Sequence, residues 1–247
     1  MTVILPPFGG LLALCLALVT TAAASSAQAA DTADDLFDPA DIKVRITEDL
    51  PSVQVRHEGQ PVLLMRHQDP SHSIAAPYDK TARPCPPFCI QPMQMPGGVE
   101  TIAELELIRY LSRVAAGDES VMVIDSRTPE WTAQGTIPGS RSIPYTRLDP
   151  AHASPAAVAE LLELEFGASR RDGLWSFGGA KTLVLFCNGP WCGQSPTNIK
   201  ALLDLGYPAR KLKWYRGGLQ TWESLGLTTV RSAPTRSEEA DRTSLGH

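Results

Sequence analysis

A single strand–loop–helix unit constrains the fold of this chain more than any other feature. Residues 183–186 (Leu-Val-Leu-Phe) are four consecutive apolar residues, a pattern typical of a buried strand. A short glycine-containing loop follows, and Ser195 with Pro196 is the pairing expected of a helix N-cap and the first residue of a helix. The sequence therefore predicts that Cys187 lies where a buried strand ends, in a loop that leads into a helix N-terminus.

Strand and helix signals alternate through the C-terminal half of the chain. Hydrophobic strands are predicted at residues 121–124, 181–186 and 212–215. Thr101 with Glu104 has the spacing of a capping box that opens one helix, and Ser154 with Pro155 opens another. Strands that alternate with helices favour an α/β fold with a parallel sheet covered on both faces.

The N-terminus has the pattern of an export signal. The first thirty residues carry no charged side chain, and the apolar run at residues 11–19 is too short to cross a bilayer comfortably. Ala27-Gln28-Ala29 resembles a cleavage site for secretion. We predict a signal peptide at residues 1–29 and a periplasmic or secreted mature protein that has no stable membrane insertion.

The remaining chain divides into three predicted segments. Residues 30–98 comprise an acidic leader, a small β extension and a connection rich in cysteine and proline, whereas residues 99–229 form the α/β domain and 230–247 a disordered tail. The net charge of −5 is spread without a basic patch, which argues against nucleic-acid binding.

Four of the five cysteines remain after removal of the leader, namely Cys85, Cys89, Cys187 and Cys192. In an oxidising compartment they allow three disulfide pairings, and their close spacing favours local pairs, with Cys85–Cys89 a possible disulfide. A four-thiolate zinc site is the alternative, but these spacings are longer than the usual two residues between zinc ligands. We predict neither a metal nor a cofactor.

Cys187 is the predicted nucleophile. The N–H groups of a tight loop and the positive end of a helix dipole favour a thiolate over a thiol. The predicted substrate-binding residues are those of the loop: Asn188, Gly189, Pro190, Trp191, Gly193, Gln194 and Ser195. Cys192 is an auxiliary catalytic candidate. Asp125, Arg127 and Glu130 are expected to order the loop after the preceding strand as a structural ion pair.

Several motifs, in order along the chain, resemble the rhodanese family. Residues 125–130 (Asp-Ser-Arg-Thr-Pro-Glu) precede Gly-Thr-Ile-Pro-Gly-Ser at 135–140 and Ile-Pro at 143–144. Cys187 follows a hydrophobic strand as the sulfur-carrying cysteine of the family does, and 217–222 matches a closing Gly-Gly-x-x-x-Trp. This resemblance implies a rhodanese-like parallel sheet flanked by helices, with the small β extension as an N-terminal addition.

The resemblance implies a sulfurtransferase that holds sulfane sulfur as a persulfide on Cys187. Its partners would be a small sulfur-containing donor and a thiol acceptor, with an exported redox protein as a further candidate. The sixth residue after Cys187 is Gly193, where related phosphatases and arsenate reductases need an arginine, so those activities are set aside. The alternatives are a thiol–disulfide redox protein that uses Cys187 and Cys192, and a non-catalytic binding module.

The Cys85–Cys89 segment is not part of the rhodanese pattern. Pro86 and Pro87 restrict the backbone between the two cysteines. Because ligands of open α/β sheets bind at the carboxyl ends of the strands, we predict that this segment folds over that edge and helps to enclose Cys187.

Overall fold

A computed structural model describes residues 41–231. The predicted signal peptide at 1–29 and nearly all of the predicted tail at 230–247 lie outside the described residues. The strands are β1 (Ser52–His57), β2 (Gln60–Met65), β3 (Glu100–Ile102), β4 (Val121–Asp125), β5 (Arg141–Ser142), β6 (Ser169–Arg171), β7 (Leu174–Ser176), β8 (Thr182–Phe186) and β9 (Leu212–Tyr215). The α-helices are α1 (Glu104–Ala115), α2 (Pro129–Thr132), α3 (Pro155–Glu160), α4 (Gln194–Asp204) and α5 (Gly218–Ser224), and a π-helical turn at Leu161–Glu165 extends α3.

A five-stranded parallel sheet forms the centre of the molecule, as the alternation of strands and helices predicts. Its strand order is β3-β9-β8-β4-β5, and all four neighbouring pairs run parallel. Each pair needs a long crossover connection, which the helices supply. Strand β8 lies between β9 and β4, so the strand that precedes Cys187 is the central strand of the sheet.

Hydrophobic side chains cover the sheet on both faces, which explains why the strand sequences are continuously apolar. In β8, Leu183 and Leu185 pack on the face covered by α3 and α4, whereas Val184 and Phe186 pack on the face covered by α1 and α5. Burial on both faces holds the end of β8 firmly, and this is the position from which Cys187 extends.

A β-hairpin precedes the parallel sheet and packs on α1. Strands β1 and β2 pair antiparallel in a register that places Val55 opposite Val62. Val55 and Leu64 are buried in the same hydrophobic cluster as Leu107 and Leu111 of α1. The predicted β extension is therefore present, and it shares a core with the α/β domain.

The start of α1 differs from the sequence prediction, whereas the start of α3 agrees with it. Thr101 lies in β3, where it pairs with Trp214 of β9, and α1 begins after Ala103, whose N–H donates to the Glu106 carboxylate at 3.3 Å. The capping box predicted for Thr101 and Glu104 is wrong because Thr101 is held in a parallel β-ladder. Helix α3 does begin as predicted, with the Ser154 hydroxyl accepting from Ala157 N–H at 3.2 Å. Within residues 41–231, no helix has the length and apolar character needed to cross a bilayer.

Candidate active site

Cys187 lies at the carboxyl edge of the parallel sheet, directly after β8. The register aligns Phe186 with Asp125 at the end of β4 and with Tyr215 at the end of β9. Three strand ends therefore meet at this edge, where the loops of open α/β sheets form their binding sites. Cys187 itself is only 2% exposed.

Ser195 contacts the Cys187 sulfur directly. Its hydroxyl donates to Cys187 Sγ at 3.1 Å and accepts from Trp214 Nε1 at 3.1 Å. Ser195 is fully buried and is the second residue of α4, so its predicted role as the N-cap is wrong. Because the helix begins at Gln194, the Ser195 side chain points to the sulfur instead of closing the helix end.

The two loop cysteines have pKa values displaced in opposite directions. Burial by itself raises the pKa of the Cys187 thiol, but hydrogen bonds from the Cys192 and Ser195 side chains and from the backbone of Ser195 and Gly189 lower it below its ordinary value. Burial, together with its interaction with Cys187, raises the pKa of Cys192 well above the ordinary value. The pair therefore favours a thiolate at Cys187 and a thiol at Cys192.

The first turn of α5 forms hydrogen bonds with the backbone of the loop. The N–H groups of Leu219 and Gln220 donate to the carbonyl oxygens of Cys187 and Asn188 at 3.0 and 2.8 Å. This approach requires glycine at position 218, where φ is +56° and a Cβ atom would overlap the Cys187 carbonyl oxygen. The closing Gly-Gly motif thus has a direct structural reason.

A buried ion pair lies beside the loop. Arg127 Nη2 is 2.6 Å from Asp125 Oδ2, and both side chains are fully buried. Burial alone lowers the pKa of Arg127, but Asp125 offsets this effect and raises it, so the guanidinium stays charged. The Thr136 hydroxyl also donates to Asp125 at 2.7 Å. The predicted structural pair is present, but Glu130 is exposed and does not join it.

Tyr78 lies in the segment between β2 and β3 and contacts the active-site loop. Its hydroxyl accepts from Arg127 Nη1 at 2.7 Å and donates to Asn188 Oδ1 at 3.2 Å. Arg127 Nη1 also lies 3.4 Å from Asn188 Oδ1. A side chain from the segment between β2 and β3 therefore helps to orient Asn188, the residue that follows Cys187.

The Cys/Pro-rich connection packs on the outer side of the loop. Gln91 N–H donates to the Pro190 carbonyl at 2.8 Å, and the ring of Phe88 meets that of Trp191 edge-on at 5.1 Å. Cys85 and Cys89 form a disulfide in this segment. The connection thus packs against the loop at Pro190 and Trp191, and enclosure of the Cys187 sulfur by the Cys85–Cys89 segment stays a prediction.

Cys187 and Cys192 are free thiols, so the expectation of a second local disulfide is not met. A protonated Cys187 thiol can donate to the Cys192 carbonyl oxygen at 3.4 Å. The Cys192 thiol faces Gln194 Oε1 at 3.8 Å. In the described part of the chain, no three metal-binding side chains cluster together.

The loop residues predicted from sequence do lie together around the Cys187 sulfur or on the outer wall of its loop. Trp191 Nε1 donates to Gln220 Oε1 at 2.5 Å, and the Gly193 carbonyl accepts from Thr197. Sequence reasoning missed Tyr78, because an irregular segment has no periodicity that would place its side chains. Thr136 had one signal, since it lies in the Gly-Thr-Ile-Pro-Gly-Ser segment that resembles a rhodanese motif.

Residues 110–225 match the rhodanese-like domain family. The chain contains a domain of this family. The matched residues include the buried Asp125–Arg127 pair, the Cys187 loop and the start of α5. The rhodanese-like domain therefore contains the complete arrangement around the Cys187 sulfur except for Tyr78 and the covering connection.

Individual proteins are similar to about half of this chain. The HTH-type transcriptional regulator Rv0324 of Mycobacterium tuberculosis is 28% identical over 135 residues, which are 55% of this chain and 46% of the regulator. The chain thus spans about half the length of that curated relative. The BH2092 protein of Bacillus halodurans is 18% identical with a TM-score of 0.38, covering 57% of this chain and 89% of its own. The human single-domain sulfurtransferase TSTD1 is 27% identical with a TM-score of 0.35, and the match covers 51% of this chain and 97% of TSTD1.

Proposed function

We propose that this protein is a sulfurtransferase that carries sulfane sulfur as a persulfide on Cys187. The observation that carries the proposal is the Ser195 hydroxyl 3.1 Å from Cys187 Sγ, at the end of a central strand and the start of a helix. A buried cysteine with no such donor would remain an inert thiol. Here the hydrogen bonds lower the pKa of Cys187 and favour the nucleophilic thiolate.

The reaction has two displacement steps. The Cys187 thiolate attacks the outer sulfur of a donor such as thiosulfate or a small persulfide. A bond forms between Sγ and that sulfur, the sulfur–sulfur bond of the donor breaks, and sulfite or a thiolate leaves with the electron pair. A thiolate or cyanide then attacks the outer sulfur, and the Cys187 sulfur leaves again as a thiolate.

Backbone groups supply most of the stabilisation for the negative charge. The loop from Cys187 to Ser195 contains no lysine or arginine, so an anionic donor must interact with its N–H groups and with the N-terminus of α4. The charged Arg127 side chain stands behind the loop, next to Asn188. Because Asp125 already pairs with Arg127, we assign this arginine to orienting the loop and not to binding the donor.

Mass spectrometry of the purified protein after exposure to thiosulfate or a small persulfide tests the proposal. We expect the peptide that contains Cys187 to gain one sulfur atom, and the gain to disappear when cyanide or a thiol is added. The Cys187→Ser variant should stay unlabelled, whereas the Cys192→Ser variant should still be labelled. An accessible, reduced Cys187 that gains no sulfur from any donor would reject the proposal in favour of a non-catalytic binding module.

A second candidate function is thiol–disulfide exchange by Cys187 and Cys192. The opposite pKa displacements favour it, because one cysteine is poised to attack and the other retains its proton. Four intervening residues also allow a disulfide to close between them. Measurement of the reduction potential of the Cys187–Cys192 pair tests this candidate: a value above about −300 mV supports exchange, and a lower value indicates a structural disulfide and contradicts it.

We also propose that the protein is exported to the periplasm or secreted. The uncharged N-terminal segment supports this proposal, and so does the Cys85–Cys89 disulfide, since disulfides persist mainly in oxidising compartments. N-terminal sequencing of the native protein tests it, with a mature chain expected to begin at about residue 30 under the small-residue cleavage pattern. A chain recovered intact from the cytoplasm would contradict it.

A further inference from the structure

A cavity of about 550 Å³ lies on the outer side of the active-site loop. Its walls come from the Cys/Pro-rich connection and from the loop itself, and they include Lys80, Arg83, Phe88, Trp191 and both cysteines of the disulfide. This cavity is not the environment of Cys187, which does not line it. It combines two cations, two aromatic rings and a disulfide in one place.

The cations of this cavity lack acidic partners in the described part of the chain. Neither Lys80 nor Arg83 forms an ion pair there, and no aspartate or glutamate lines the cavity. Arg83 Nε is buried without a hydrogen-bond partner among residues 41–231. A cleft of one charge sign concentrates ligands of the opposite sign, so this cavity favours an anion.

Arg83 is held rigidly where it can meet such an anion. Its Nη2 donates to the Pro77 carbonyl at 2.6 Å. The guanidinium carbon is 5.0 Å from the ring centre of Phe88, 5.1 Å from that of Trp191 and 5.7 Å from that of Trp131. Cation–π contacts of this kind fix the orientation of the guanidinium and shield one side of it from water.

The disulfide supplies chemistry to the same cavity. Cys85 is exposed and Cys89 is half-buried, so a small reagent in the cavity can reach the sulfur atoms. A disulfide reacts with thiolates, and the reaction depends on access to the sulfur that is attacked. Cationic side chains beside an accessible disulfide suit a thiol that also carries a carboxylate or sulfonate.

We propose that this cavity binds a small anionic thiol and that the Cys85–Cys89 disulfide oxidises it. The thiolate attacks Cys85 Sγ, a mixed disulfide forms, and Cys89 leaves as a thiolate with the electron pair of the broken bond. A second ligand thiolate then attacks the ligand sulfur of the mixed disulfide and releases the Cys85 thiolate. Two thiols become one small disulfide, and the protons that they lose pass to the two protein thiolates.

This exchange, which occurs once for each disulfide and leaves Cys85 and Cys89 as thiols, is separate from sulfur transfer at Cys187. Trp191 belongs to both the cavity wall and the active-site loop, so the two sites are neighbours. The two sites nevertheless use different sulfur atoms. An experiment in a chain that lacks both Cys187 and Cys192 therefore tests the cavity alone.

The test compares three thiols of similar size and different charge on the full-length chain with Cys187→Ser and Cys192→Ser. The probes are 2-mercaptoethanesulfonate, 2-mercaptoethanol and cysteamine, compared at equal thiolate concentration and low ionic strength. Reduction of the Cys85–Cys89 disulfide is followed by alkylation and peptide mass spectrometry. Two cations near the reacting sulfur should make the sulfonate react about fivefold faster than the neutral thiol, and cysteamine slower than both.

Variants assign this preference to the cavity. The double variant Lys80→Gln with Arg83→Gln should reduce the rate preference for the sulfonate over the neutral thiol to below about twofold. The single variant Lys80→Gln changes an exposed side chain and leaves the aromatic contacts of Arg83 in place, and it should reduce the preference partly. Lys43→Gln removes the same charge from a surface position outside the cavity and should leave the preference unchanged. Equal rates for the three thiols, the same loss in the Lys43→Gln control, or a disulfide that none of the thiols reduces would each overturn the proposal.

Discussion

Replacing Ser195 with alanine tests how the site activates Cys187. The substitution removes a buried hydroxyl that donates to Cys187 Sγ at 3.1 Å and leaves the Trp214 indole N–H without its acceptor. A hydrogen bond to a charged group contributes about 1.5–3 kcal/mol, so the Cys187 thiolate should lose stability of that order. At a pH below the pKa of Cys187, the population of thiolate should fall about tenfold to hundredfold, since 1.4 kcal/mol corresponds to a factor of ten.

The loading rate should fall less than the population of thiolate. A thiolate with a higher pKa is a stronger nucleophile, and with a Brønsted coefficient of about 0.4–0.5 this gain offsets nearly half of the loss on a logarithmic scale. The net decrease in the rate of sulfur loading should therefore be about threefold to tenfold. At a pH above both pKa values, where each protein is fully ionised at Cys187, the Ser195→Ala variant should load sulfur faster than the wild type.

The assay measures the pH dependence of single-turnover sulfur loading, with the thiolate absorbance of Cys187 followed in parallel in a Cys192→Ser background. Thr197→Ala is the matched control, because it removes a hydroxyl from the same helix that bonds only the Gly193 carbonyl. A rate reduced by one constant factor at every pH would refute the reasoning. It would indicate that Ser195 positions the loop and does not stabilise the thiolate.

Three further predictions follow from the buried contacts of the site. Arg127→Met should lower the free energy of unfolding in urea by about 3–5 kcal/mol, because Asp125 is left as an unpaired buried charge, and a loss below about 1 kcal/mol would contradict this. Gly218→Ala should abolish sulfur loading or folding, as judged by mass spectrometry and circular dichroism, because its Cβ would overlap the Cys187 carbonyl. Burial raises the pKa of Tyr78 to about 12, so its contribution to stability should be complete below the usual tyrosine pKa near 10 and be lost as the pH rises toward 12. A Tyr78→Phe variant should lack that part of the alkaline loss of stability, and an unchanged profile would contradict the assignment.

Local signals in the sequence were sufficient for the central sheet and for the position of Cys187. The apolar runs that became β4, β8 and β9 are strong because both faces of each strand are buried. Cys187 was recognisable because a strand end, a glycine-containing loop and a helix start are all features of neighbouring residues. The ordered motifs of the rhodanese family strengthened the same interpretation.

Local signals in the sequence failed at two positions, Thr101 and Glu130. Thr101 has the right spacing for a capping box, yet parallel pairing with Trp214 keeps it in a strand. Glu130 has the right spacing to join Arg127, yet its side chain remains exposed while Asp125 takes the arginine. For Thr101 a tertiary contact overrode the local pattern, whereas Arg127 paired with Asp125, the acidic residue nearer to it along the chain.

The sequence alone therefore determined the parallel sheet and the loop that contains Cys187, whereas the structure showed why glycine is needed where that loop meets α5. Only the tertiary structure decided which groups surround the loop. The Ser195 hydroxyl contacts the Cys187 sulfur, the Tyr78 hydroxyl donates to Asn188, and the Arg83 guanidinium packs on the ring of Trp191. The physical reason is the range of the interactions. Hydrophobic periodicity and turn preferences act between residues a few positions apart, whereas Tyr78 and Asn188 are separated by 110 positions and meet only when the sheet and its covering segment have packed.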